Sequence, residues 1–186
     1  MRTLAIALTV LFVAGCGGGG GDNPGNLDNV EFQVSECGGF EANQPAPMPA
    51  PLPAPAPADY CAAEVLNWSY SADTGRLDLL NTRVFLNCCG DHSVRMDLVD
   101  GVLTVLELDK PEFGDARCDC MCVFDFQASA VGVPAGELAV ELWRHETDQT
   151  ADPVLVWQGT LDTAAGGGDE IVSEEDLGMW CGEGDL

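Results

Sequence analysis

Residues 93–109 read SVRMDLVDGVLTVLELD and decide the fold class of this chain. Before Asp100-Gly101, apolar residues alternate with polar ones. The apolar residues of that alternation are Val94, Met96 and Leu98. Alternate side chains of a strand share one face, so this pattern is typical of a half-buried strand. Asp-Gly between two such runs is a strong signal for a two-residue hairpin turn. The segment therefore predicts two antiparallel strands joined by a tight turn.

Strand signals continue on both sides of this hairpin, with turn residues between them. The candidate strands are residues 28–36, 76–88, 93–99, 102–109, 118–128, 137–143 and 153–161. We expect the last two to pair as a hairpin and the acidic segment 162–179 to be a loop. Such spacing predicts an all-β fold, a disulfide-stapled antiparallel β-sandwich, immunoglobulin-like or similar, of about seven strands.

The N-terminus predicts export and lipid attachment. A single positive charge precedes an apolar run over residues 4–14, which is too short to span about 30 Å of hydrocarbon as a helix. The motif VAGC at 13–16 directly follows and resembles the bacterial lipobox, in which the cysteine is lipidated. We therefore expect residues 1–15 to be a removed signal peptide and Cys16 to bear the lipid.

The rest of the chain divides by composition. Residues 16–27 are a Gly-rich tether, 28–40 a short strand segment, 41–59 a Pro/Ala-rich disordered spacer or loop, and 60–186 the β domain. The residue after the predicted lipid site is Gly17. This resembles the outer-membrane class of Gram-negative lipoproteins, because an Asp there favours inner-membrane retention. We expect a cell-envelope protein anchored in the outer membrane through its lipid.

The charge balance excludes one class of partner. Seven Lys and Arg residues stand against 31 Asp and Glu, for a net charge of −24. Such a surface repels nucleic acid, so we expect no nucleic-acid binding.

Eight cysteines remain beside Cys16, and an even number in an exported chain indicates a disulfide framework. They are Cys37, Cys61, Cys88, Cys89, Cys118, Cys120, Cys122 and Cys181. Counting leaves 105 connectivities open. The simplest pairing for the first two is with each other, because Cys37–Cys61 would close the Pro-rich segment as a loop.

The run CDCMCVFDF at 118–126 is the densest part of this framework. If it is a strand, its three cysteines share one face, and each lies about 6.6 Å from the next. At this spacing the three cannot bind one zinc ion together, and they cannot form disulfides with one another. We expect each to find a partner elsewhere. Cys88 is expected to reach this run, and Cys89, which points the other way, a different place.

A metal or redox site is the alternative use of these cysteines. It would combine Cys88, Cys89, His92 and Cys120, and its thiolates would favour Cu(I) or Zn. The segments NCCGDH (87–92), CDCMCVFDF (118–126) and VPAGELAVEL (133–142) resemble a group of uncharacterised exported bacterial lipoproteins. The resemblance covers roughly residues 60–143. It implies export and a β domain, and supplies no catalytic residue.

No catalytic motif is recognisable in the sequence. His92 and His145 are the two histidines, and we interpret His145 as a solvated strand end. We therefore expect a non-enzymatic binding or structural module without a cofactor. Its partners would be the membrane, through the lipid, and an unknown envelope or extracellular protein.

Overall fold

The structure is a computed structural model that describes residues 27–40, 63–112, 114, 117–175 and 177. Its strands are β1 (Asp28–Val34), β2 (Glu64–Ser71), β3 (Arg76–Asn87), β4 (Gly90–Val99), β5 (Val102–Pro111), β6 (Met121–Val131), β7 (Glu137–Glu146), β8 (Val154–Asp162) and β9 (Gly167–Ser173). A 3-10 turn at Thr163–Ala165 joins β8 to β9. The predicted signal peptide, Cys16, the Pro-rich spacer, Cys61 and Cys181 lie outside the described residues.

The strands form two sheets that pack face to face, so the predicted β-sandwich is confirmed. One sheet has the order β1-β6-β3-β2-β9, and the other the order β4-β5-β7-β8. All neighbours are antiparallel except β5 and β7, which are parallel. Parallel neighbours need a long crossover, and here the connection passes through β6 in the opposite sheet. The first strand belongs to the sandwich as the edge partner of β6.

The two predicted hairpins are present. β4 pairs with β5 across Asp100 and Gly101, whose φ angles of 51° and 81° are those that the tight turn requires. The alternating residues of β4 point into the sandwich, and β7 pairs with β8 as expected.

The core lies between the facing sides of the two sheets. Its members include Leu77, Val84, Leu86, Leu103, Phe124, Phe126, Leu138, Val140, Leu142 and Leu161. Each large apolar side chain buried in this way contributes about 1.5–3 kcal/mol relative to exposure. Within the described part of the chain, no helix is long and apolar enough to cross a membrane.

Three strand predictions were wrong. β2 was not among the candidate strands, so the described residues contain nine strands instead of about seven. The strand expected at 118–128 begins at Met121, because Asp119 is a bend. The segment expected to be a loop contains β9, which pairs with β2. Glycines allow this pairing, since a Cβ on Gly168 would lie only 3.1 Å from the indole of Trp68. Glycines and acids lack the apolar alternation by which a strand is recognised.

Candidate functional site

Three disulfides connect the described cysteines. They are Cys37–Cys122, Cys88–Cys120 and Cys89–Cys118, with Cα atoms 5.7, 5.8 and 5.6 Å apart. These Cα separations fall in the range that a disulfide needs. The bridges therefore connect β6 and the segment before it to the residues that follow β1 and to those that follow β3.

The expected Cys37–Cys61 bridge was wrong, because Cys37 is bonded to Cys122. The backbone N–H of Ser35 donates to Asp125 O at 2.9 Å, and that of Gly38 donates to Val123 O at 2.9 Å. These bonds continue the β1–β6 pairing beyond β1 and bring Cys37 beside the first residues of β6. The long-range strand pairing, rather than closeness in sequence, selects the partner.

Cys88 and Cys89 pair with two cysteines of one short segment. Cys88 is bonded to Cys120, in the run where its partner was expected. The prediction that Cys89 bridges to a different place was wrong, because it is bonded to Cys118 of the same run. Asn87 holds both sides of this junction: its Nδ2 donates to Cys118 O at 2.8 Å, and its Oδ1 accepts from the backbone N–H of Cys89 at 2.9 Å. Asn87 thus holds the vicinal pair Cys88-Cys89 next to the 118–120 segment.

The sulfur atoms at this junction lie closer together than a strand allows. Cys118 Sγ and Cys120 Sγ are 3.3 Å apart, against the separation of about 6.6 Å expected for alternate residues of a strand. Together with Cys88 Sγ they form a group whose members all lie within 4.8 Å of one another. The bend at Asp119 is the reason, because this segment precedes β6 instead of extending it. We call Cys88, Cys89, Cys118 and Cys120 the cysteine cluster.

His92 is directed towards other groups than these sulfurs. Its Nε2 lies 3.3 Å from Asp109 Oδ1 without forming a hydrogen bond, and its ring centroid is 4.4 Å from that of Phe124. Among the described residues, the three-sulfur group contains neither His92 nor Cys89. The ligand set expected from the sequence is therefore not assembled as such.

A buried carboxylate holds the start of the 117–120 segment. Asp109 is fully buried, and its Oδ1 accepts from Arg117 Nη1 at 2.7 Å. Arg117 also pairs with Asp148, and this hydrogen bond raises the pKa of Arg117 and lowers the pKa of Asp148. Burial raises the pKa of the nearby Glu146, with the charge of Asp109 acting in the same direction. Because Arg117 directly precedes Cys118, its ion pairs fix the position of the backbone where the cysteine cluster begins.

A second buried ion network joins the two sheets. Arg144 Nη2 lies 2.5 Å from Glu64 Oε1 and 2.7 Å from Glu107 Oε2. Asn81 Nδ2 donates to the same two carboxylates, at 2.8 and 2.7 Å. Burial lowers the pKa of Arg144, but the charges of Glu107 and Glu64 outweigh it and raise the pKa overall. Burial raises the pKa of Glu107 against the opposing charge of Arg144.

A cavity of about 360 Å³ lies beside this network. Its lining consists of Glu64, Phe85, Arg144, Val156, Val172, Ser173, Glu175 and Leu177. No sequence motif indicated this region. The one local signal was Glu107, a charged residue flanked by Leu106 and Leu108 in an apolar strand. Its partners are too distant in sequence to be recognised by pattern.

His145 differs from the solvated strand end that we expected. It lies within β7, is partly buried, and one of its ring nitrogens is 3.2 Å from Thr150 O. A structural contact of this kind gives no indication of catalysis. Comparison of the chain with protein-family models, curated proteins and solved structures gave no match.

Proposed function

We propose that this chain is a lipid-anchored envelope protein whose β-sandwich is a non-enzymatic binding or structural module at the membrane surface. The observation that supports it most directly is the VAGC motif at 13–16, directly after an apolar run too short to span a bilayer. The three disulfides agree with export, because such bridges persist in oxidising compartments. The proposed location is the outer membrane, and the proposed partner is an envelope or extracellular protein.

The charge of the chain is consistent with a module held off the membrane by a tether. A net charge of −24 repels anionic headgroups, so the sandwich gains nothing from lying on the lipid. The Gly-rich segment 16–27 and the Pro/Ala-rich segment 41–59 supply spacer compositions near the proposed lipid. Attachment then depends on the acyl chains, each buried CH₂ of which contributes about 0.8 kcal/mol.

The test is detergent-phase partitioning and membrane fractionation of the full chain. We expect the wild type in the detergent phase and Cys16→Ser in the aqueous phase. Gly17→Asp is the matched control, because it should stay lipidated but move from the outer to the inner membrane. A wild type that partitions with Cys16→Ser in the aqueous phase overturns the anchor. A reproducible hydrolase or catalytic oxidoreductase activity of the pure protein overturns the non-enzymatic role.

The second candidate function is a Cu(I)- or Zn-binding or thiol-redox lipoprotein. One observation favours it: Cys88, Cys118 and Cys120 place three sulfurs within 4.8 Å of one another. Sulfurs around one zinc ion lie about 3.8 Å apart, so little movement would be needed once the disulfides were reduced. The set differs from the one expected from the sequence, since Cys118 takes the place of Cys89 and His92.

A thiol count with metal analysis, on protein isolated from an oxidising periplasm, separates the two candidates. Two or more reactive thiols in the cysteine cluster, or about one equivalent of copper or zinc, would establish the second function. Fully oxidised cysteines without metal would exclude a metal site and free thiols in the isolated protein, and leave the stapled module.

A further inference from the structure

We propose that the cysteine cluster is a thiol–disulfide exchange centre, in which the bond of Cys89–Cys118 moves to Cys118–Cys120 when Cys120 becomes a thiolate. This goes beyond the anchored module proposed above and does not depend on it. The exchange is stoichiometric, so it assigns no catalytic turnover to the chain.

The distances within the cluster provide the reacting pair. Exchange proceeds by attack of a thiolate on a disulfide sulfur. Cys120 Sγ lies 3.3 Å from Cys118 Sγ, which belongs to the neighbouring bridge. Cys120 is exposed and Cys118 is partly buried, so a reductant reaches the first sulfur and the second is already in contact with it.

A dithiol is the co-reactant that supplies the two electrons for this exchange. One thiolate of the dithiol attacks Cys120 Sγ, and the S–S bond to Cys88 breaks to leave a Cys88 thiol. The second thiol closes the dithiol into a disulfide and releases Cys120 as a thiolate. Cys120 then attacks Cys118 Sγ, the bond to Cys89 breaks, and Cys89 leaves as a thiolate that takes up a proton. Two electrons enter, and one bridge remains, between Cys118 and Cys120.

A single reduction therefore opens both bridges of the cluster. The product carries the vicinal thiols Cys88 and Cys89 at the end of β3, no longer bonded to the 118–120 segment. The strand pairing of β3 with β6 and the separate Cys37–Cys122 bridge hold the sandwich together. Reduction would thus expose two thiols at one end of the domain without unfolding its core.

The experiment is limited reduction of the full chain with one equivalent of dithiothreitol, followed by acid quenching, alkylation and peptide mapping. We expect alkylation of Cys88 and Cys89 in equal amounts, with Cys118–Cys120 intact. The same product forms if Cys89–Cys118 is reduced first, because Cys118 then attacks Cys120. Alkylation of Cys88 with Cys120, or of Cys89 with Cys118, shows that no exchange occurs and overturns the proposal.

Single variants test the same step without a reductant. Cys88→Ser should carry its free thiol on Cys89, and Cys89→Ser should carry it on Cys88. In the matched control Cys37→Ser, the thiol should stay on Cys122, which is buried in the core. A thiol that remains on Cys120 in the first variant, or on Cys118 in the second, contradicts exchange. Because mapping assigns each cysteine, the outcome is independent of whether Cys16 is lipidated.

Discussion

Arg144 is the cation on which two buried carboxylates depend. Glu107 is 1% exposed and Glu64 7%, and both accept hydrogen bonds from the guanidinium. Burying such a trio is not in itself a large gain in stability, because desolvation opposes the attraction. Removing one partner, by contrast, lowers stability strongly, because the remaining charges stay buried without the attraction that offset their desolvation.

We expect Arg144→Met to lower the free energy of unfolding at pH 7 by about 3–5 kcal/mol. Met preserves much of the apolar stem, so the loss reports the unpaired carboxylates rather than a cavity. Urea unfolding provides the measurement. The exposed Arg95 on β4 is the matched control, and Arg95→Met should change stability by less than about 0.5 kcal/mol. A loss under about 1 kcal/mol for Arg144→Met would show that the network is not buried as described.

Glu107 makes stability depend on pH in a defined direction. Burial raises the pKa of its carboxyl above 4.5, so the folded state binds the proton more tightly than the unfolded state. Its contribution to stability is therefore fully present below pH 4.5 and is lost as the pH rises through the raised pKa.

The variant Glu107→Gln removes this titration. Compared with the variant, the wild type should lose unfolding free energy as the pH increases from 4.5 towards neutrality. Urea unfolding of both proteins at several pH values measures the difference. A difference that stays constant, or that changes in favour of the wild type, would contradict the raised pKa.

The structure of the β4–β5 hairpin is determined by residues within the hairpin itself. Gly101 has a φ of 81°, and a Cβ built on it meets nothing within 4 Å. The cost of a side chain at this position is therefore conformational and not steric crowding by neighbours. Its neighbour Asp100, at a φ of 51°, tolerates the left-handed region better than most residues.

We predict that Gly101→Ala lowers the free energy of unfolding by about 1 kcal/mol, because alanine disfavours positive φ. The loss can be measured by thermal or urea unfolding. Asp100→Gly is the control and should be neutral within about 0.5 kcal/mol, since Gly-Gly also suits this turn. Equal losses in both variants would mean that the Asp100 side chain stabilises the turn.

The charge of the whole molecule opposes its own compactness. The sequence has a net charge of −24, and the ion pairs formed by Arg144 and Arg117 use only a few of its 31 acids. The remaining carboxylates repel one another across the surface. Salt weakens this repulsion, because the Debye length falls from about 30 Å at 0.01 M to about 3 Å at 1 M.

The Tm of the chain should therefore rise with NaCl concentration. Tetramethylammonium chloride at equal ionic strength is the control, and should raise the Tm similarly if screening is the cause. Differential scanning calorimetry at constant pH provides the measurement. A Tm that responds to sodium but not to the bulky cation would indicate specific cation binding instead.

Local sequence patterns predicted most of the pairings between strands that are neighbours in the chain, although not the β2–β3 hairpin, whose first strand was not recognised. Alternation and Asp100-Gly101 predicted the first hairpin, and a second pair of apolar runs predicted β7 and β8. The even number of cysteines predicted disulfides in the same way, as a property of composition. Together these patterns were enough for an all-β, stapled sandwich.

Contacts between distant segments were decided by the tertiary structure alone. The parallel β5–β7 pair, the β9 edge strand, the Cys37–Cys122 bridge and the Arg144 network each join residues far apart in sequence. Periodicity shows which face of a strand is buried, but not which strand lies beside it. The bend at Asp119 that brings Cys118 against Cys120 is decided likewise, because it depends on where β6 begins to pair with β3.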